Sequence, residues 1–453
     1  MKPNVLLIMI DSLRADRVWG AGRECQTPFL DNLRRRSTCL TRAFSTASIT
    51  TTCTTSLLTG VYPLIHGVHT LARHRLRPDI PTLAELFQAH GYHTWAETTG
   101  PLRPVTGLDR GFDEYRCRKY TEWLDTPFGE SMFARIHGGG PRPWFGFLHL
   151  WETHFPRRVT PEYNHARYGR NLYDRAVSSL DHQLGRLLGA GLPPAGNTVV
   201  ILTGDHGEYL SNSKGGKILE GLRGPFAWLK RRAPAVRKLK RFAVKTLFRT
   251  KDTTERVSKR DQDSYWAWLG HGFHIFDPLV QVPLLMYGPG LFPESAEISH
   301  LVSHVDLLPT LASALGLQRT GPPAVSGIDL MPLLQTTSAR TNGRAIYMEA
   351  ADARMTAQPK PEQWLAGLRT DRYKYARGLF NEALEEELYD LEHDPAERKN
   401  IASGTPEVAG AMRARLREMI QSSLAPHAET EIHYTAEELA EVHQRLEELG
   451  YME

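Results

Sequence analysis

Two acidic residues of the sequence closely follow short apolar runs, a position typical of ligands at the end of a buried β-strand. Asp11 follows the run 5–10, and Asp205, with His206 beside it, comes shortly after the run 198–202. A carboxylate and an imidazole are good ligands for a divalent cation, and glycines at 204 and 207 let the backbone approach closely. Each motif alone has a plainer explanation, a surface turn for the Asp-His pair and a helix N-cap for Asp11. How strongly the two motifs together indicate a metal site depends on a hydroxyl-rich motif that lies between them in the chain.

That motif, residues 50–67, has the sequence TTTCTTSLLTGVYPLIHG and begins with a candidate nucleophile, Thr50. A free threonine hydroxyl is a poor nucleophile and needs activation. A divalent cation provides it, because the ion lowers the pKa of a bound hydroxyl and neutralises charge that builds on the ester oxygens. Thr50 is also typical of a helix N-cap, and the two roles are compatible because the positive end of a helix favours an anion.

The surrounding sequence alternates apolar runs with helical patterns, which indicates the elements that must position these residues. The runs 5–10, 144–150 and 198–202 are bounded by turn residues, as strands are, whereas 27–36 and 81–87 have helical patterns. Strands separated by helices predict a parallel sheet with helices on both faces. Ligands bind at the carboxyl ends of the strands in such sheets. We expect a catalytic domain over 1–345, a smaller C-terminal subdomain over 346–425 and a helical tail over 426–453.

The motif at 50–67 resembles the nucleophile motif of the sulfatase family, within the alkaline phosphatase superfamily. The family has a nucleophile ten residues before the glycine of a Leu-Thr-Gly turn, followed by a proline and often by a His-Gly pair, as in this chain. The resemblance implies an α/β, alkaline phosphatase-like fold: a large mostly parallel sheet with helices on both faces, plus a smaller C-terminal α+β subdomain. Further family signatures are matched in order at 4–17, 27–33, 81–91, 111–113, 147–154, 270–277, 302–310, 368–375, 387–395 and 449–451.

The resemblance also implies the roles of individual residues. The implied metal ligands are Asp11, Thr50, Asp205 and His206. Thr50 would be the metal-bound nucleophile. His154 and His271 match the basic residues that contact the substrate anion or the leaving group, and an imidazole can protonate a departing oxygen near neutral pH. His149 is interpreted as a structural histidine.

Two departures from the family pattern change the expected chemistry. The family carries Cys or Ser, converted to formylglycine, within a Cys-x-Pro-x-Arg context, whereas this chain has Thr50, Thr52 and Thr54 at the three places. Threonine cannot yield that aldehyde and Cys53 is out of register, so formylglycine is not expected. Ser12 stands where many sulfatases have a second Asp. We therefore expect one divalent metal ion (Mn, Mg, Ca or Zn), with oxygen-rich ligation favouring the harder ions.

A direct threonine nucleophile resembles those of the phosphodiesterase and phosphotransferase branches of the superfamily. A threonine phosphoester can be hydrolysed by attack at phosphorus, whereas a sulfate on an ordinary alcohol is harder to release without the hemiacetal route. The first prediction is therefore a metal-dependent, sulfatase-like hydrolase that cleaves a small anionic ester, a phosphate diester or phosphonate monoester, through Thr50. A sulfuric ester hydrolase is the alternative. A phospho-alcohol transferase is a further alternative, ranked lower because such enzymes commonly carry membrane helices and this chain has no apolar run of that length.

One segment of the chain carries a large excess of positive over negative charge. The formal net charge is +4, but residues 214–260 alone hold 16 Lys/Arg against 3 Asp/Glu. We interpret 213–262 as a basic, amphipathic insertion in the catalytic domain. Three roles stay open: a solvated insertion, a membrane-surface element with Trp228 and Phe242 among the basic residues, or a lid that recruits a polyanion. No nucleic-acid recognition module accompanies it.

Cysteine usage and the first residues of the chain bear on its location. The four cysteines contain no CxxC pair and are too few for a disulfide framework, which favours a reducing compartment. The first apolar run is only six residues long and ends abruptly at Asp11, unlike an export signal. We expect a cytoplasmic protein, peripheral at the membrane if 214–260 binds lipid. A polar helix predicted at 435–449 is a candidate dimer element, so a homo-oligomer is a further expectation.

Overall fold

The computed structural model of the chain describes residues 2–138, 143–189, 197–211, 270–288, 290–319, 325–335, 343–351 and 363–423, with single positions between 430 and 442. The predicted insertion 213–262, with its predicted membrane or polyanion contact, lies outside the described residues. Most of the predicted tail 426–453, including nearly all of the helix predicted at 435–449, also lies outside them.

Three β-sheets are formed within the described ranges. Along the chain the strands are β1 (Asn4–Ile10), β2 (Thr38–Leu40), β3 (Ala43–Phe44), β4 (His93–Thr98), β5 (Glu114–Cys117), β6 (Trp144–Leu150), β7 (Thr198–Gly204), β8 (Gln281–Val282), β9 (Leu284–Tyr287), β10 (Ala296–Ile298), β11 (Val302–Ser303), β12 (Ile346–Ala350), β13 (Leu365–Arg369), β14 (Tyr373–Gly378) and β15 (Glu387–Asp390). The largest sheet has the order β10-β2-β9-β7-β1-β6-β4-β5. β7, β1, β6, β4 and β5 run parallel to one another, whereas β9 is antiparallel to both of its neighbours, β7 and β2. The predicted strands at 5–10, 144–150 and 198–202 are therefore neighbours at the centre of this sheet.

Helices cover both faces of the large sheet. The α-helices of the described ranges are α1 (Pro28–Arg34), α2 (Thr50–Thr59), α3 (Pro63–His66), α4 (Leu83–Ala89), α5 (Pro127–His137), α6 (Leu172–Leu188), α7 (Asp277–Val280), α8 (Leu307–Leu315), α9 (Met331–Gln335) and α10 (Pro406–Ser423). Successive side chains of β1 point to opposite faces. Its odd-numbered residues pack in one hydrophobic core with α2, α4 and α8, and its even-numbered residues pack in a second core with α1, α5 and α6. The all-apolar sequence of β1 follows from this burial on both faces.

The C-terminal part of the chain forms a smaller α+β unit against the large one. β12, β13, β14 and β15 make an antiparallel sheet in that order. α10 packs on one face of it through Ala409, Met412 and Leu416. The other face packs on Phe44, Ile275 and α7. This unit therefore contacts the segment that begins at residue 270, where His271 is found.

The structure bears out most of the elements expected from the sequence and shortens some. The helix expected at 27–36 spans Pro28–Arg34, and the one at 81–87 spans Leu83–Ala89 behind a capping box formed by Thr82 and Glu85. Gly60 ends α2 with a φ of 70°, a left-handed value that glycine adopts without strain. All four cysteines are free thiols. Within the described ranges, every helix is too short or too polar to cross a bilayer.

Candidate active site

Four neighbouring strands of the large sheet each contribute a polar side chain at their carboxyl ends. Asp11 directly follows β1 and Asp205 directly follows β7, so the two carboxylates come from paired strands. His149 is the penultimate residue of β6, the other neighbour of β1, and Thr99 directly follows β4. All four side chains are buried. The carboxyl ends of these strands therefore form an enclosed polar site, where ligands bind in sheets of this kind.

A strained turn after β1 orients both carboxylates. Ser12 has a φ of 61°, a left-handed value that residues with a side chain rarely adopt. Its amide donates to Asp205 Oδ1 over 2.8 Å, and its hydroxyl donates to Asp11 Oδ1 over 2.9 Å. The Tyr173 hydroxyl donates to the Ser12 carbonyl over 2.6 Å. Ser12, in the place of a second family aspartate, thus positions the two carboxylates, and these bonds offset backbone strain of about 1–3 kcal/mol.

The glycines around Asp205 allow backbone segments to pack closely, as the sequence predicted. A Cβ atom at Gly204 would lie 2.5 Å from the Leu13 carbonyl oxygen. A Cβ atom at Gly207 would clash with the Pro278 carbonyl oxygen in α7. The backbone on both sides of Asp205 and His206 is therefore held directly against neighbouring segments.

The candidate nucleophile lies at the first position of a completely buried helix. Thr50 begins α2, and its Oγ1 lies 3.3 Å from His206 Nε2. His206 Nδ1 bonds to the Gly207 carbonyl over 2.8 Å, which identifies Nδ1 as the protonated nitrogen and leaves the Nε2 lone pair directed to the site. The N-cap of α2 is Ile49 and not Thr50, so the predicted capping role is wrong. The Thr50 side chain is thereby left to face the site.

The arrangement of donor atoms fits one divalent cation. Asp11, His149 and Asp205 each place a ligand atom within 4.8 Å of the other two. His149 Nε2 lies 3.8 Å from Asp205 Oδ2, and neither atom has a hydrogen-bond partner among the described residues. His206 Nε2 lies 3.5 Å from Asp205 Oδ2 and 3.8 Å from Asp11 Oδ1. Two atoms that each lie about 2.1 Å from one ion are at most about 4.2 Å apart, so these separations are compatible with shared ligation.

The electrostatics of the site favour a cation as well. Burial, together with nearby Asp205, raises the pKa of Asp11 well above its usual value. Burial also opposes ionisation of Asp205, but His206 and His149 lower its pKa below the usual value. Burial lowers the pKa of His206 to about 4, so its imidazole is neutral at pH 7, the form that binds metals. A divalent ion between the carboxylates would remove their repulsion and allow both to ionise.

The two histidines expected to contact the substrate lie beside this cluster. The ring centroid of His271 is 4.4 Å from that of His206 and 5.3 Å from that of His154. Glu208 bonds to His271 Nδ1 over 2.9 Å, and its other oxygen lies 3.4 Å from Arg157. The carboxylate fixes the ring and leaves the opposite nitrogen directed away from Glu208. Sequence reasoning assigned no role to Glu208 or Arg157, because only folding brings them to His271.

The remaining residues of the nucleophile motif are packed in the core. Thr54, at the family arginine position, donates to the Met9 sulfur over 3.4 Å. Cys53 Sγ donates to the Ala47 carbonyl over 2.9 Å and is fully buried. Burial raises the pKa of the Cys53 thiol above its usual value, which is the behaviour of an inert structural cysteine.

Two histidines that follow α2, His66 and His69, are buried. His66 Nε2 bonds to the Ser56 hydroxyl over 2.9 Å, and His69 Nδ1 bonds to Glu349 over 2.8 Å. Both imidazoles lie in packed surroundings. They connect α2 and the loop after it to the rest of the fold.

His149, interpreted from the sequence as a structural histidine, lies in this cluster of buried polar side chains. Phe145 and Phe147 of β6 pack in the core on the α2 face of the sheet. Side chains two residues apart in a strand share a face. His149 therefore shares the face of α2 and Thr50, a signal present in the sequence once 144–150 is read as a strand beside β1.

The chain is similar to known proteins over most of its length. Residues 3–317 match the family model described as sulfatase, and 266–422 match one described as N-sulphoglucosamine sulphohydrolase, C-terminal. Arylsulfatase K of Mus musculus is 30% identical over 146 residues, which are 32% of this chain and 26% of that protein, so the match spans about a quarter of that relative. Delta 4,5-hexuronate-2-O-sulfatase of Bacteroides thetaiotaomicron is 22% identical over 470 residues, covering 88% of this chain and 85% of that protein. The crystal structure of the phosphonate monoester hydrolase of Agrobacterium radiobacter has a TM-score of 0.63 at 19% identity and covers 96% of this chain and 100% of that one, which shows a shared fold.

Proposed function

Because the chain belongs to the sulfatase family and is a hydrolase acting on ester bonds, we propose that it hydrolyses a sulfuric ester with one divalent cation. The predicted family and the alkaline phosphatase-like fold are confirmed by the match over 3–317 and by the near-complete coverage of solved structures. Two curated relatives aligned over most of the chain carry the names Delta 4,5-hexuronate-2-O-sulfatase and ulvan-active sulfatase. The comparisons therefore favour a sulfuric ester, the alternative in the sequence analysis, over the phosphorus ester predicted first.

The observation that carries the proposal is the position of the Thr50 hydroxyl beside a buried set of metal-binding groups. Thr50 Oγ1 lies 3.3 Å from His206 Nε2, which in turn lies within 3.8 Å of carboxylate oxygens of Asp11 and Asp205. When bound, a divalent cation lowers the pKa of such a hydroxyl and neutralises charge on the ester oxygens. The buried site excludes bulk water, which strengthens these interactions.

Hydrolysis would proceed in two steps, which are formation of a sulfate ester of Thr50 and hydrolysis of that ester. The side chains of the site suggest a role in each step. The Thr50 hydroxyl releases its proton to solvent and Oγ1 attacks sulfur, the bond from sulfur to the alcohol oxygen breaks, and a sulfate ester of Thr50 forms. His271, held through Nδ1 by Glu208, is placed to donate a proton to the departing alcohol. His154 lies beside His271 and can contact the sulfate oxygens. Water then attacks sulfur and gives a proton to His271, the bond from sulfur to Thr50 Oγ1 breaks, and release of sulfate with reprotonation of Oγ1 restores Thr50.

A second candidate substrate is a phosphate diester or a phosphonate monoester. The observation that favours it is the threonine at the nucleophile position, because a phosphoester of Thr50 is released by attack of water at phosphorus. A sulfate ester of an ordinary alcohol is released less readily. The same residues would act on either substrate, so the difference concerns the central atom of the ester alone.

A substrate panel separates the two candidates. Protein supplied with Mn²⁺ is assayed with nitrophenyl sulfate, bis-nitrophenyl phosphate and a nitrophenyl phosphonate, and kcat/KM is compared. The highest kcat/KM on the sulfate supports the proposed function. The highest kcat/KM on a phosphorus ester would refute the proposed sulfuric ester substrate and support the second candidate.

The role of Thr50 is tested with two isosteric variants of one helix. Thr50→Val removes the hydroxyl and should lower kcat by at least about a thousandfold. Thr55→Val is the matched control, because Thr55 is equally buried in α2 and its hydroxyl donates only to the Thr51 carbonyl over 2.7 Å. Full activity of Thr50→Val would refute the nucleophile assignment.

The location and partners of the protein are proposed on sequence grounds. Four free thiols favour a reducing compartment, and we propose the cytoplasm.

We also propose that the basic residues within 214–260 contact an anionic membrane surface. Deleting 217–259 should abolish binding to anionic liposomes while leaving turnover of a small soluble ester. Unchanged liposome binding would remove the membrane contact, and sedimentation of the full chain would test the expected homo-oligomer.

A further inference from the structure

His149 is a buried residue of the site to which the proposed reaction assigns no step. Its side chain is fully buried, and its Nδ1 lies 2.5 Å from Thr99 Oγ1. Its other nitrogen, Nε2, lies 3.8 Å from Asp205 Oδ2 and has no hydrogen-bond partner among the described residues. Asp205 Oδ2 likewise lacks a hydrogen-bond partner there. Two polar atoms that both require a partner therefore face each other at a distance too long for a hydrogen bond.

We propose that His149 is a ligand of the same cation as Asp11 and Asp205, with Thr99 holding its ring in the ligating orientation. The proposal rests on the metal dependence of the proposed function. It accounts for the two unsatisfied atoms, because one ion between them would serve both. Asp11, His149 and Asp205 already have their ligand atoms within 4.8 Å of one another.

A purely structural histidine has a different environment in this protein. His66 is equally buried, but its Nε2 bonds to the Ser56 hydroxyl over 2.9 Å and its Nδ1 accepts the Val68 amide over 3.0 Å. Both of its nitrogens are therefore satisfied by the protein. A buried polar atom without a partner is destabilising, so the environment of His149 is unfavourable unless something binds there. Ligating histidines commonly have their second nitrogen held by a hydrogen bond, as Thr99 holds His149.

The donor set that results determines which ions the site prefers. It contains carboxylates of Asp11 and Asp205 and imidazoles of His149 and His206. Ca²⁺ and Mg²⁺ take oxygen ligands, whereas imidazole nitrogen suits first-row transition ions. The site should therefore select Mn²⁺, Co²⁺ or Zn²⁺ over Ca²⁺, which departs from the preference for harder ions expected from sequence.

The first test needs no variant. The purified full-length chain is loaded with Mn²⁺, and pulsed electron paramagnetic resonance counts the imidazole nitrogens bound to the ion. Two nitrogen couplings of directly bound imidazoles are expected, from His149 and His206. A single coupling, or absence of Mn²⁺ binding, would overturn the proposal.

The second test measures Mn²⁺ affinity by calorimetry in three variants. Thr99→Val should weaken Mn²⁺ binding about 10- to 100-fold, because it removes the hydroxyl that orients the ligand. Thr99→Ser keeps that hydroxyl and should bind Mn²⁺ as tightly as the unchanged chain. His149→Gln should weaken binding at least as much and remove one nitrogen coupling. His66→Gln is the matched control and should keep the affinity of the unchanged chain. Equal affinities of His149→Gln and the unchanged chain would overturn the proposal.

The two tests also separate this proposal from the proposed function. If the protein binds Mn²⁺ through two imidazoles but hydrolyses no ester, the metal-ligand proposal stands and the proposed function is wrong. If the protein hydrolyses a sulfuric ester but binds Mn²⁺ through one imidazole, the proposed function stands and the role of His149 as a ligand is wrong. Ca²⁺ competing with Mn²⁺ on equal terms would contradict the inferred ion preference.

Discussion

A buried cluster of charges connects the C-terminal sheet to the segment 270–277, which carries His271. Lys374 of β14 is completely buried, and its Nζ forms an ion pair with Asp277. The same nitrogen lies 2.7 Å from a Glu397 carboxylate oxygen and donates to the Ile275 carbonyl over 2.8 Å. One cation therefore pairs with the partly buried carboxylate of Asp277 and the buried one of Glu397, and it also satisfies one backbone carbonyl.

Lys374→Met should lower the free energy of unfolding by about 3–5 kcal/mol, because it leaves buried charge without its partner. Methionine has a similar length, so the effect reports the lost charge more than a lost volume. Arg369 remains 3.3 Å from Asp277, whereas Glu397 loses the cation that lowers its pKa. We also expect kcat to fall, since the segment that carries His271 loses an anchor.

The size of this loss should depend on pH. In the unchanged protein burial raises the pKa of Glu397, and Lys374 opposes that rise. Without Lys374 the folded-state pKa rises further. A carboxyl whose folded-state pKa exceeds its unfolded value contributes stability below the unfolded pKa, and that contribution is lost as the pH rises. The variant should therefore be closer to the unchanged protein at pH 5 than at pH 8.

Urea unfolding followed by circular dichroism at both pH values measures these differences. Arg372→Met is the control with the same change of charge, because Arg372 is half exposed and pairs with Asp390 at the surface over 2.7 Å. It should leave the unfolding midpoint unchanged. Equal, small effects of the two substitutions, or a loss that does not grow with pH, would refute the reasoning.

Three further predictions concern the site and the backbone around it. Incubation of the protein with substrate followed by acid quenching should give an intact-mass adduct on the peptide that contains Thr50, and an adduct elsewhere would contradict the mechanism. Glu208→Gln should lower kcat about 100-fold with little change in KM, because the His271 ring loses its charged acceptor, and a change in KM alone would indicate a substrate-binding role instead. Gly207→Ala should abolish stable expression, because its Cβ would meet a carbonyl oxygen, whereas Gly410→Ala in α10, where a Cβ meets nothing, should raise the free energy of unfolding by about 0.5–1 kcal/mol. The soluble yield of Gly207→Ala and the chemical denaturation of Gly410→Ala measure that contrast, and a normal soluble yield with alanine at 207 would count against the packing described there.

Local patterns in the sequence were enough for three central strands and for the acidic residues at the ends of two of them. Asp11 and Asp205 stand next to apolar runs, and burial on both faces of a parallel sheet requires such runs. Thr50 and the motif after it indicated the family, and the match over 3–317 confirmed that resemblance. The metal, nucleophile and histidine roles stay predictions that the geometry makes testable.

The order of the strands, and what it brings together, could not be read from local patterns. His149 joins the site because β6 lies beside β1, and Thr99 reaches His149 because β4 lies beside β6. Glu208 meets His271 across a gap of more than sixty residues in the chain. The sequence by itself determined which residues end the strands and which family they resemble, since these depend on nearest neighbours along the chain. Only the tertiary structure decided which of the polar residues share one buried site, because burial and contact depend on segments that are distant in sequence and meet on folding.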